Sequence, residues 1–438
     1  MLFRRPLLLT LLLIAPVPTP AQNRVDVVTP LAPDLATYGQ FPVGVRTVQV
    51  TDTNRPDVLG TKEGGEVQRY DRTLTLEIWY PAQLGPGQKP GGVYKGVMTR
   101  DPSVVVTLRG RAMRDAPPRP QEGGYPLVIV SHGYPGDRYL LAHLTENLAS
   151  KGYVVASISH KDSTYDDQKA FSSTLYNRPL DQLFVLNEMA RLGSDKTAFL
   201  SGLVDASRTG IVGYSMGGYG VVNVIGGAFR SGVESLPAAP PNRMLAERTG
   251  SHPGYLQSLD PRIKAAIAIA PWGMQIGAWD AEGLKGIKTP VLFVAGSADD
   301  VSGYEKGTRA LFEGAVNADR HLLTFVGANH NAGAPIPAPE ETYTGHNGQP
   351  PGFPHYADPV WDTVRMNNIL DHFATAFFGL RLKGEAEMQA YLDVVPSGKD
   401  AVFAVDRDGK PQPTHTYWKG FKRRTATGLM LEHLTPLK

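Results

Sequence analysis

The sequence predicts an α/β fold, with a mostly parallel central sheet, helices on both faces and antiparallel leading strands. Five short apolar runs are continuous and do not alternate with polar residues, which is typical of strands covered on both faces. Segments with helical spacing lie between the runs, so right-handed crossovers connect parallel strands. The predicted parallel strands are 126–130, 154–158, 211–212, 265–269 and 291–294.

The leading strands have a different pattern. Val45–Thr51 and Thr73–Tyr80 place apolar residues at alternate positions, as half-buried strands do, and they predict an antiparallel pair. The segment 81–120 that follows is rich in Gly, Pro and basic residues. It predicts a surface loop with one strand at 104–108.

Three helices are predicted from the spacing of their apolar residues. The first has leucines at positions 141, 144 and 148 and ends at Gly152, and the second follows Asp181 with apolar residues at 183, 186 and 189. The third has apolar residues at 369, 370, 373 and 377. We expect this last helix to close one edge of the sheet.

The 438 residues predict one domain over 22–438, with insertions near 230–261 and 331–359 and a C-terminal extension over 380–438. Loops as long as these insertions are uncommon in compact domains unless they carry function. They predict lids or substrate walls, with plain surface insertions as the alternative. Within the extension, Tyr417–Arg424 predicts a packed edge strand or, alternatively, a basic-aromatic contact surface.

Composition excludes several classes of function. Lys and Arg number 44 against 42 Asp and Glu, for a formal charge of +2, which gives no field that favours nucleic acid. The chain has no Cys, so disulfides, thiolate metal sites and a cysteine nucleophile are excluded. No His-x-x-x-His pattern occurs, and we predict no metal and no cofactor.

The first 21 residues have the pattern of a signal peptide. Arg4 and Arg5 precede the apolar run 7–14, and Thr19–Ala21 supplies small residues for cleavage near Ala21. The apolar run is too short for a transmembrane anchor. We therefore expect an exported protein, periplasmic or secreted.

The segment Gly213–Gly218, GYSMGG, places a serine in a G-x-S-x-G frame. An apolar run precedes it and a helical pattern of small residues follows, so Ser215 is predicted on a sharp strand-to-helix turn. The turn holds its central residue in a strained conformation, and larger side chains two positions to either side would collide with it. Ser215 is therefore the candidate nucleophile.

A nucleophilic serine needs a base, and the base needs an acid to orient it. His330 follows a short strand, 322–326, and Asp299 follows the strand 291–294. The carboxyl ends of parallel strands share one edge of a sheet, so we expect Ser215, Asp299 and His330 to meet there. Asp300 is the alternative acid, and otherwise it would cap the helix predicted near 303–312.

Two backbone N–H groups are predicted to form an oxyanion hole. Met216 follows the nucleophile at the start of a helix, and Tyr134 lies in the glycine-rich turn 131–136. Pro135 has no N–H to donate. His132 is explained as a residue that organises this turn.

In these motifs the chain resembles the α/β-hydrolase superfamily, and over 41–378 it is most similar to bacterial esterases grouped with platelet-activating factor acetylhydrolases and "predicted dienelactone hydrolases". The segments that carry the resemblance are 43–47, 78–82, 131–134, 152–156, 160–163 and 213–218. Dienelactone hydrolases use a cysteine nucleophile, which this chain lacks. In plasma-type acetylhydrolases the acid follows the strand after the nucleophile, where this chain has Ile269–Trp272, and this departure favours Asp299.

A weaker resemblance points to bacterial cutinases and polyester hydrolases, through 213–218, 132–134 and 270–272. By that resemblance Tyr134 and Trp272 would clamp the acyl group of the substrate. Tyr214, next to the nucleophile, is a third candidate substrate contact.

These observations predict a serine hydrolase that cleaves carboxylic esters through an acyl-enzyme on Ser215. The expected substrate is a small-molecule or lipid-like ester, with polyester as a further candidate. A peptidase or acyltransferase using the same three residues is the first alternative. A non-catalytic binding protein with this fold is the second.

Overall fold

A computed structural model of the protein describes residues 23–236 and 238–437. The predicted signal peptide, 1–21, lies outside the described residues. Within them, no helix has both the length and the apolar character that crossing a membrane requires.

The described chain has twelve strands: β1 (Val43–Pro56), β2 (Arg69–Pro81), β3 (Gly92–Met98), β4 (Val105–Gly110), β5 (Met113–Arg114), β6 (Tyr125–Ser131), β7 (Val154–Ser159), β8 (Val204–Tyr214), β9 (Ile263–Ile269), β10 (Val291–Gly296), β11 (Arg320–Phe325) and β12 (Leu429–Leu434). Ten of them form the central sheet, in the order β12-β11-β10-β9-β8-β6-β7-β2-β1-β5. The six strands from β7 to β11 in this order are parallel, whereas β2 pairs antiparallel with β7 and with β1. The predicted mostly parallel sheet with antiparallel leading strands is confirmed.

Helices cover both faces of the sheet. They are α1 (Ala142–Ser150), α2 (Phe171–Ser194), α3 (Met216–Val224), α4 (Pro253–Gln257), α5 (Ala281–Leu284), α6 (Ala310–Gly314), α7 (Thr363–Phe378) and α8 (Gln389–Leu392). Shorter helical turns span Asp34–Ala36, Val233–Ser235, Pro241–Arg248, Met274–Ile276, Tyr304–Arg309, Glu340–Thr342, Phe353–His355, Gly379–Lys383 and Ala386–Met388.

The central strand β6 shows why both faces must be covered. Val128 and Val130 join the apolar cluster that contains α1 and α7, and Leu127 and Ile129 join the one that contains α2 and α3. Side chains alternate across a strand, so a continuous apolar run supplies both clusters at once. The core is therefore two layers, one on each side of the sheet.

The structure corrects the predicted surface loop over 81–120. β3 and β4 pair in a separate antiparallel sheet, and Tyr94 and Leu108 within it are 1% exposed. The Tyr94 hydroxyl accepts a hydrogen bond of 2.7 Å from Trp79 Nε1 and donates to Glu146 in α1. The aromatic and apolar residues of this segment bury it despite its Gly and Pro content.

Two further expectations about the C-terminal half were wrong. α7 covers a face of the sheet with α1, and the edge that it was predicted to close is formed by β12, antiparallel to β11. Residues 417–424 form turns, not an edge strand. Trp418 and Phe421 of those turns pack against Phe373 of α7, so they belong to the hydrophobic core.

Candidate active site

Ser215 lies between the end of β8 and the start of α3 with a positive φ of 53° and ψ of −113°. Gly213 and Gly217 flank Ser215, and neither position has room for a side chain. A Cβ at Gly213 would lie 2.3 Å from the carbonyl of Gly217, and one at Gly217 would lie 2.1 Å from the carbonyl oxygen of Ser131. The strained turn predicted from the motif is therefore present.

Ser215, His330 and Asp299 are joined by hydrogen bonds. Ser215 Oγ is 3.0 Å from His330 Nε2, and His330 Nδ1 is 3.1 and 3.0 Å from the two carboxylate oxygens of Asp299. The side chains of His330 and Asp299 are 14% and 0% exposed. This is the arrangement that activates a serine hydroxyl.

Asp299 is held by the backbone as well as by His330. Its Oδ1 accepts hydrogen bonds of 2.9 Å from the N–H groups of Val301 and Ser302. Burial acts to raise the pKa of Asp299, but the hydrogen bond and charge of His330, together with the two amides, hold it below its usual value. The carboxylate is therefore ionised, and it favours the His330 tautomer with a proton on Nδ1.

Asp300, the alternative acid, is exposed and lines the cavity beside the site, but within the described chain its carboxylate makes no hydrogen bond with His330. Its backbone N–H is 3.3 Å from Asn329 Oδ1, and the carboxylate that faces His330 is that of Asp299. Asp300 also does not cap the helical turn Tyr304–Arg309, whose N-cap position is Gly303. The one-residue shift turns the two neighbouring side chains in different directions.

The turn 132–134 lies against the serine. A Cβ at Gly133 would be 3.3 Å from Ser215 Cβ, so the backbone passes close to the candidate nucleophile. In the described part of the chain, neither the Tyr134 nor the Met216 N–H donates to a protein acceptor. Both predicted oxyanion donors are thus free to bind a ligand atom.

Arg178 of α2 supports this turn from inside the protein. It donates to the carbonyl oxygens of His132 and Gly133, the latter at 3.4 Å, and to Ser163 Oγ at 2.8 Å. Arg178 was not predicted from the sequence. A charged residue in an amphipathic helix usually faces solvent, and only the packing of α2 in the folded protein buries this one.

His132 organises the turn, as its position in the sequence suggested. Its Nε2 accepts a hydrogen bond of 3.1 Å from the His160 N–H, so Nδ1 carries the proton that is donated to the Gly133 carbonyl at 2.7 Å. Burial, with the charge of Arg178, lowers the pKa of His132 well below its usual value. The ring is neutral, and its two hydrogen bonds join the turn to the residue that follows β7.

A second Ser-His-Asp series lies beneath the turn and was also missed. Ser131 Oγ is 2.8 Å from His160 Nε2, and His160 Nδ1 is 3.0 Å from Asp181 Oδ2. Asp181 binds both Nε and Nη2 of Arg72, each at 2.9 Å. Ser131 is 0% exposed and His160 is 1% exposed, so this series supports the turn and does not face a substrate.

The predicted aromatic pair, Tyr134 and Trp272, is joined by a third ring. Phe171 packs edge-on against both, with ring centroids 5.2 Å from Tyr134 and 5.1 Å from Trp272. Tyr214, the other predicted contact, is buried with its ring 5.2 Å from that of His330. Its hydroxyl donates to Asn331 Oδ1 at 2.9 Å.

A cavity of about 570 Å³ opens onto Ser215 and His330. Tyr134 and Tyr214 line it, as do most residues of the segment 353–359 in the 331–359 insertion. That the insertion serves as a substrate wall or a lid stays a prediction. Trp272 is not among the lining residues.

Comparison with known proteins shows that the chain is similar to several ester hydrolases. A family model described as platelet-activating factor acetylhydrolase, isoform II, matches residues 36–181. A cutinase of Thermobifida alba is 26% identical over 209 residues, 48% of this chain and 53% of that protein. The chain thus spans about half the length of the cutinases that it matches.

Two further relatives extend the match. The bis(hydroxyethyl) terephthalate hydrolase of Streptomyces coelicolor is 24% identical over 280 residues, 62% of this chain and 71% of that protein. A solved structure of a ferulic acid esterase from Streptomyces cinnamoneus has a TM-score of 0.53 at 22% identity, and the match covers 83% of this chain and 94% of that one. The resemblance stated from the motifs is confirmed, and the sheet order together with this structural match shows that the chain has the α/β-hydrolase fold.

Proposed function

We propose that the protein is a carboxylester hydrolase that works through an acyl-enzyme on Ser215. The observation that carries the proposal is the hydrogen-bonded series from Ser215 Oγ through His330 to Asp299, beside a cavity. Similarity to a cutinase and to a terephthalate ester hydrolase supports ester cleavage as the reaction.

In the first half of the reaction, His330 Nε2 accepts the Ser215 proton as Oγ attacks the acyl carbon. The N–H groups of Tyr134 and Met216 donate to the oxyanion that forms, which in such sites is worth about 10² to 10³ in rate per donor. The tetrahedral intermediate then collapses. The alcohol leaves with the proton that His330 returns, and the acyl group stays on Ser215.

In the second half, water takes the place of the alcohol. His330 accepts a proton from that water, which attacks the acyl carbon, and the acid product leaves Ser215 with its hydroxyl restored. Asp299 keeps the imidazole in the Nδ1–H tautomer and stabilises the imidazolium that forms in each half. All proton transfers therefore pass through one nitrogen, His330 Nε2.

The substrate we propose is a small-molecule or lipid-like ester that fits the cavity beside Ser215. A volume of about 570 Å³ lies in the range that holds drug-sized ligands, which is about 300 to 1,000 Å³. The wall built by Phe353–Pro359 offers apolar and aromatic contacts for one end of the ester. A polyester is a further candidate on the strength of the cutinase relatives.

We also propose that the protein is exported, with cleavage near Ala21. The pattern of Met1–Ala21 supports this. Sequencing the N-terminus of protein recovered from the periplasm or the medium tests it. A mature protein that still begins at Met1 would rule it out.

The function is tested by reaction with a fluorophosphonate and by turnover. We expect the full-length protein to be labelled at Ser215, with no labelling of Ser215→Ala, and to hydrolyse p-nitrophenyl esters at a rate that depends on acyl length. Turnover of the matching p-nitroanilides, or transfer to an added alcohol in preference to water, would favour a peptidase or an acyltransferase. Absence of both label and turnover would refute the proposal.

A further inference from the structure

A cluster of three ligand-type side chains lies at the opposite end of β11 from the candidate active site. Asp319 and His321 are two residues apart along the chain, so they lie on the same side of β11. His433 of β12 is the cross-strand partner of His321. Side chains directly opposite each other in an antiparallel pair are neighbours, so two imidazoles and a carboxylate share one patch.

The three groups are close enough to bind one ion. One ligand atom from each of Asp319, His321 and His433 lies within 4.8 Å of the other two. His433 Nε2 is 2.7 Å from Asp319 Oδ1, and the two imidazole rings stack with centroids 4.1 Å apart. The other oxygen, Asp319 Oδ2, accepts a hydrogen bond of 2.6 Å from Arg381.

His321 supplies the observation that points to a ligand. The residue is 1% exposed, and within the described chain neither of its ring nitrogens has a hydrogen-bond partner. The ring of Phe377 packs edge-on against it, with the two ring centroids 6.2 Å apart. A buried imidazole without any partner loses its hydrogen bonds to water and gains nothing in return. A bound metal ion would satisfy one of these nitrogens.

We propose that Asp319, His321 and His433 form a zinc site that fastens β12 to β11. Two imidazole nitrogens and one carboxylate oxygen are ligands that Zn²⁺ takes, and water can fill the fourth position. Arg381 would hold the second carboxylate oxygen, as outer partners of metal ligands do. The proposal does not depend on the proposed esterase activity.

Binding needs one adjustment of the side chains. Stacked imidazoles direct their lone pairs in parallel planes, so one ring must turn for both to reach the same ion. His433 can do so, because its side chain is 32% exposed. In turning, Nε2 exchanges its hydrogen bond to Asp319 for a bond to the metal.

The site has a structural consequence at the edge of the sheet. β12 belongs to the C-terminal extension and pairs along its length with β11. An ion held by both strands binds the folded edge and not the unfolded chain. At a free Zn²⁺ concentration of about 100 times Kd, a chain of this length should melt about 3 °C higher.

The test uses untagged full-length protein that has been treated with chelator and dialysed. Titration with Zn²⁺ against a chromophoric chelator should give one bound ion per chain with a Kd of about 10 µM or tighter. Co²⁺ in the same site should show the visible absorption of a low-symmetry, four-coordinate ion. Both signals should weaken at least about tenfold in His433→Ala, whose side chain is at the surface.

Two controls separate this site from other histidines. His252→Ala removes an exposed imidazole elsewhere and should leave the zinc affinity unchanged. His330→Ala should also keep the zinc site, because His330 lies beyond the far end of β11, about 20 Å away. Three results would each overturn the proposal. They are loss of zinc binding in His330→Ala, equal zinc affinity in His433→Ala and wild type, and no binding to the wild type at about 100 µM Zn²⁺.

Discussion

Replacing Asp299 with Asn changes one atom and should nearly abolish turnover. In the structure, Asp299 Oδ1 accepts hydrogen bonds from two backbone N–H groups, at 2.9 Å each. An asparagine must keep its single carbonyl oxygen on those two donors. Its NH2 group then occupies the place of Oδ2, which lies 3.0 Å from His330 Nδ1.

The consequence is the wrong tautomer of His330. Oδ1 also lies 3.1 Å from His330 Nδ1, but in asparagine it already accepts from the two backbone N–H groups. The NH2 group in the place of Oδ2 therefore favours Nδ1 as an acceptor, with the ring proton on Nε2. Nε2 then points a proton at Ser215 Oγ and cannot take one from it. In a serine protease with the same arrangement this substitution lowers kcat by about 10⁴, equal to about 5.5 kcal/mol of transition-state stabilisation, and we expect a similar loss here.

The measurement is kcat on a p-nitrophenyl ester for Asp299→Asn and for Asp300→Asn side by side. Asp300 is the matched control, because it is adjacent, carries the same charge and lines the same cavity, but makes no hydrogen bond with His330 in the described chain. We expect less than about tenfold change in kcat for Asp300→Asn. Unfolding temperatures should confirm that both variants are folded. If Asp300→Asn were the more damaged variant, or Asp299→Asn kept more than about a tenth of the wild-type kcat, the assignment of the acid would be wrong.

Three other predictions concern the support of the site. Gly217→Ala places a Cβ 2.1 Å from the Ser131 carbonyl oxygen. It should lower the free energy of unfolding by about 1 to 3 kcal/mol and should also lower kcat. Thermal melting measures the first effect and ester turnover measures the second. Arg178→Met leaves the two carbonyls of the 132–134 turn without their donor and should cost about 10² in kcat, with KM on a short ester little changed and partial recovery in Arg178→Lys. Asp137→Asn tests a pH effect, because burial raises the pKa of Asp137 to about 6. The folded state therefore binds this proton more tightly than the unfolded state. Ionised Asp137 lowers the free energy of unfolding, and this loss is absent below about pH 4 and complete above about pH 6. The variant should melt higher than wild type at pH 8 but not at pH 4, and equal shifts at both values would refute the reasoning.

The continuous apolar runs were sufficient to predict the sheet and its layers. Such runs occur only where both faces are covered, and β6 divides its side chains between two clusters as that rule requires. The edges of the sheet were harder to predict. β12 lies far along the chain from its partner and has an ordinary composition, so no local pattern could indicate that it, and not α7, forms the edge.

The three proposed catalytic residues could be predicted because each follows the carboxyl end of a parallel strand. Fold topology alone brings Ser215, Asp299 and His330 to one edge, and the structure joins them by hydrogen bonds. Their catalytic role stays a prediction. Arg178 and Phe171 were missed, because the first residues of α2 reach the site only through tertiary packing that no spacing along the chain records.

The protein has two Ser-His-Asp series, and the residue types and their distances alone do not show which serine is the nucleophile. In each, a serine oxygen lies within 3.0 Å of an imidazole whose other nitrogen meets a carboxylate. Ser131 lies at the end of β6 and is 0% exposed, whereas Ser215 has a strained φ of 53°, is 6% exposed and lines a cavity. A fluorophosphonate should therefore react with Ser215 alone. Peptide mapping of the labelled protein checks this, and label on Ser131 would show that exposure does not separate the two series.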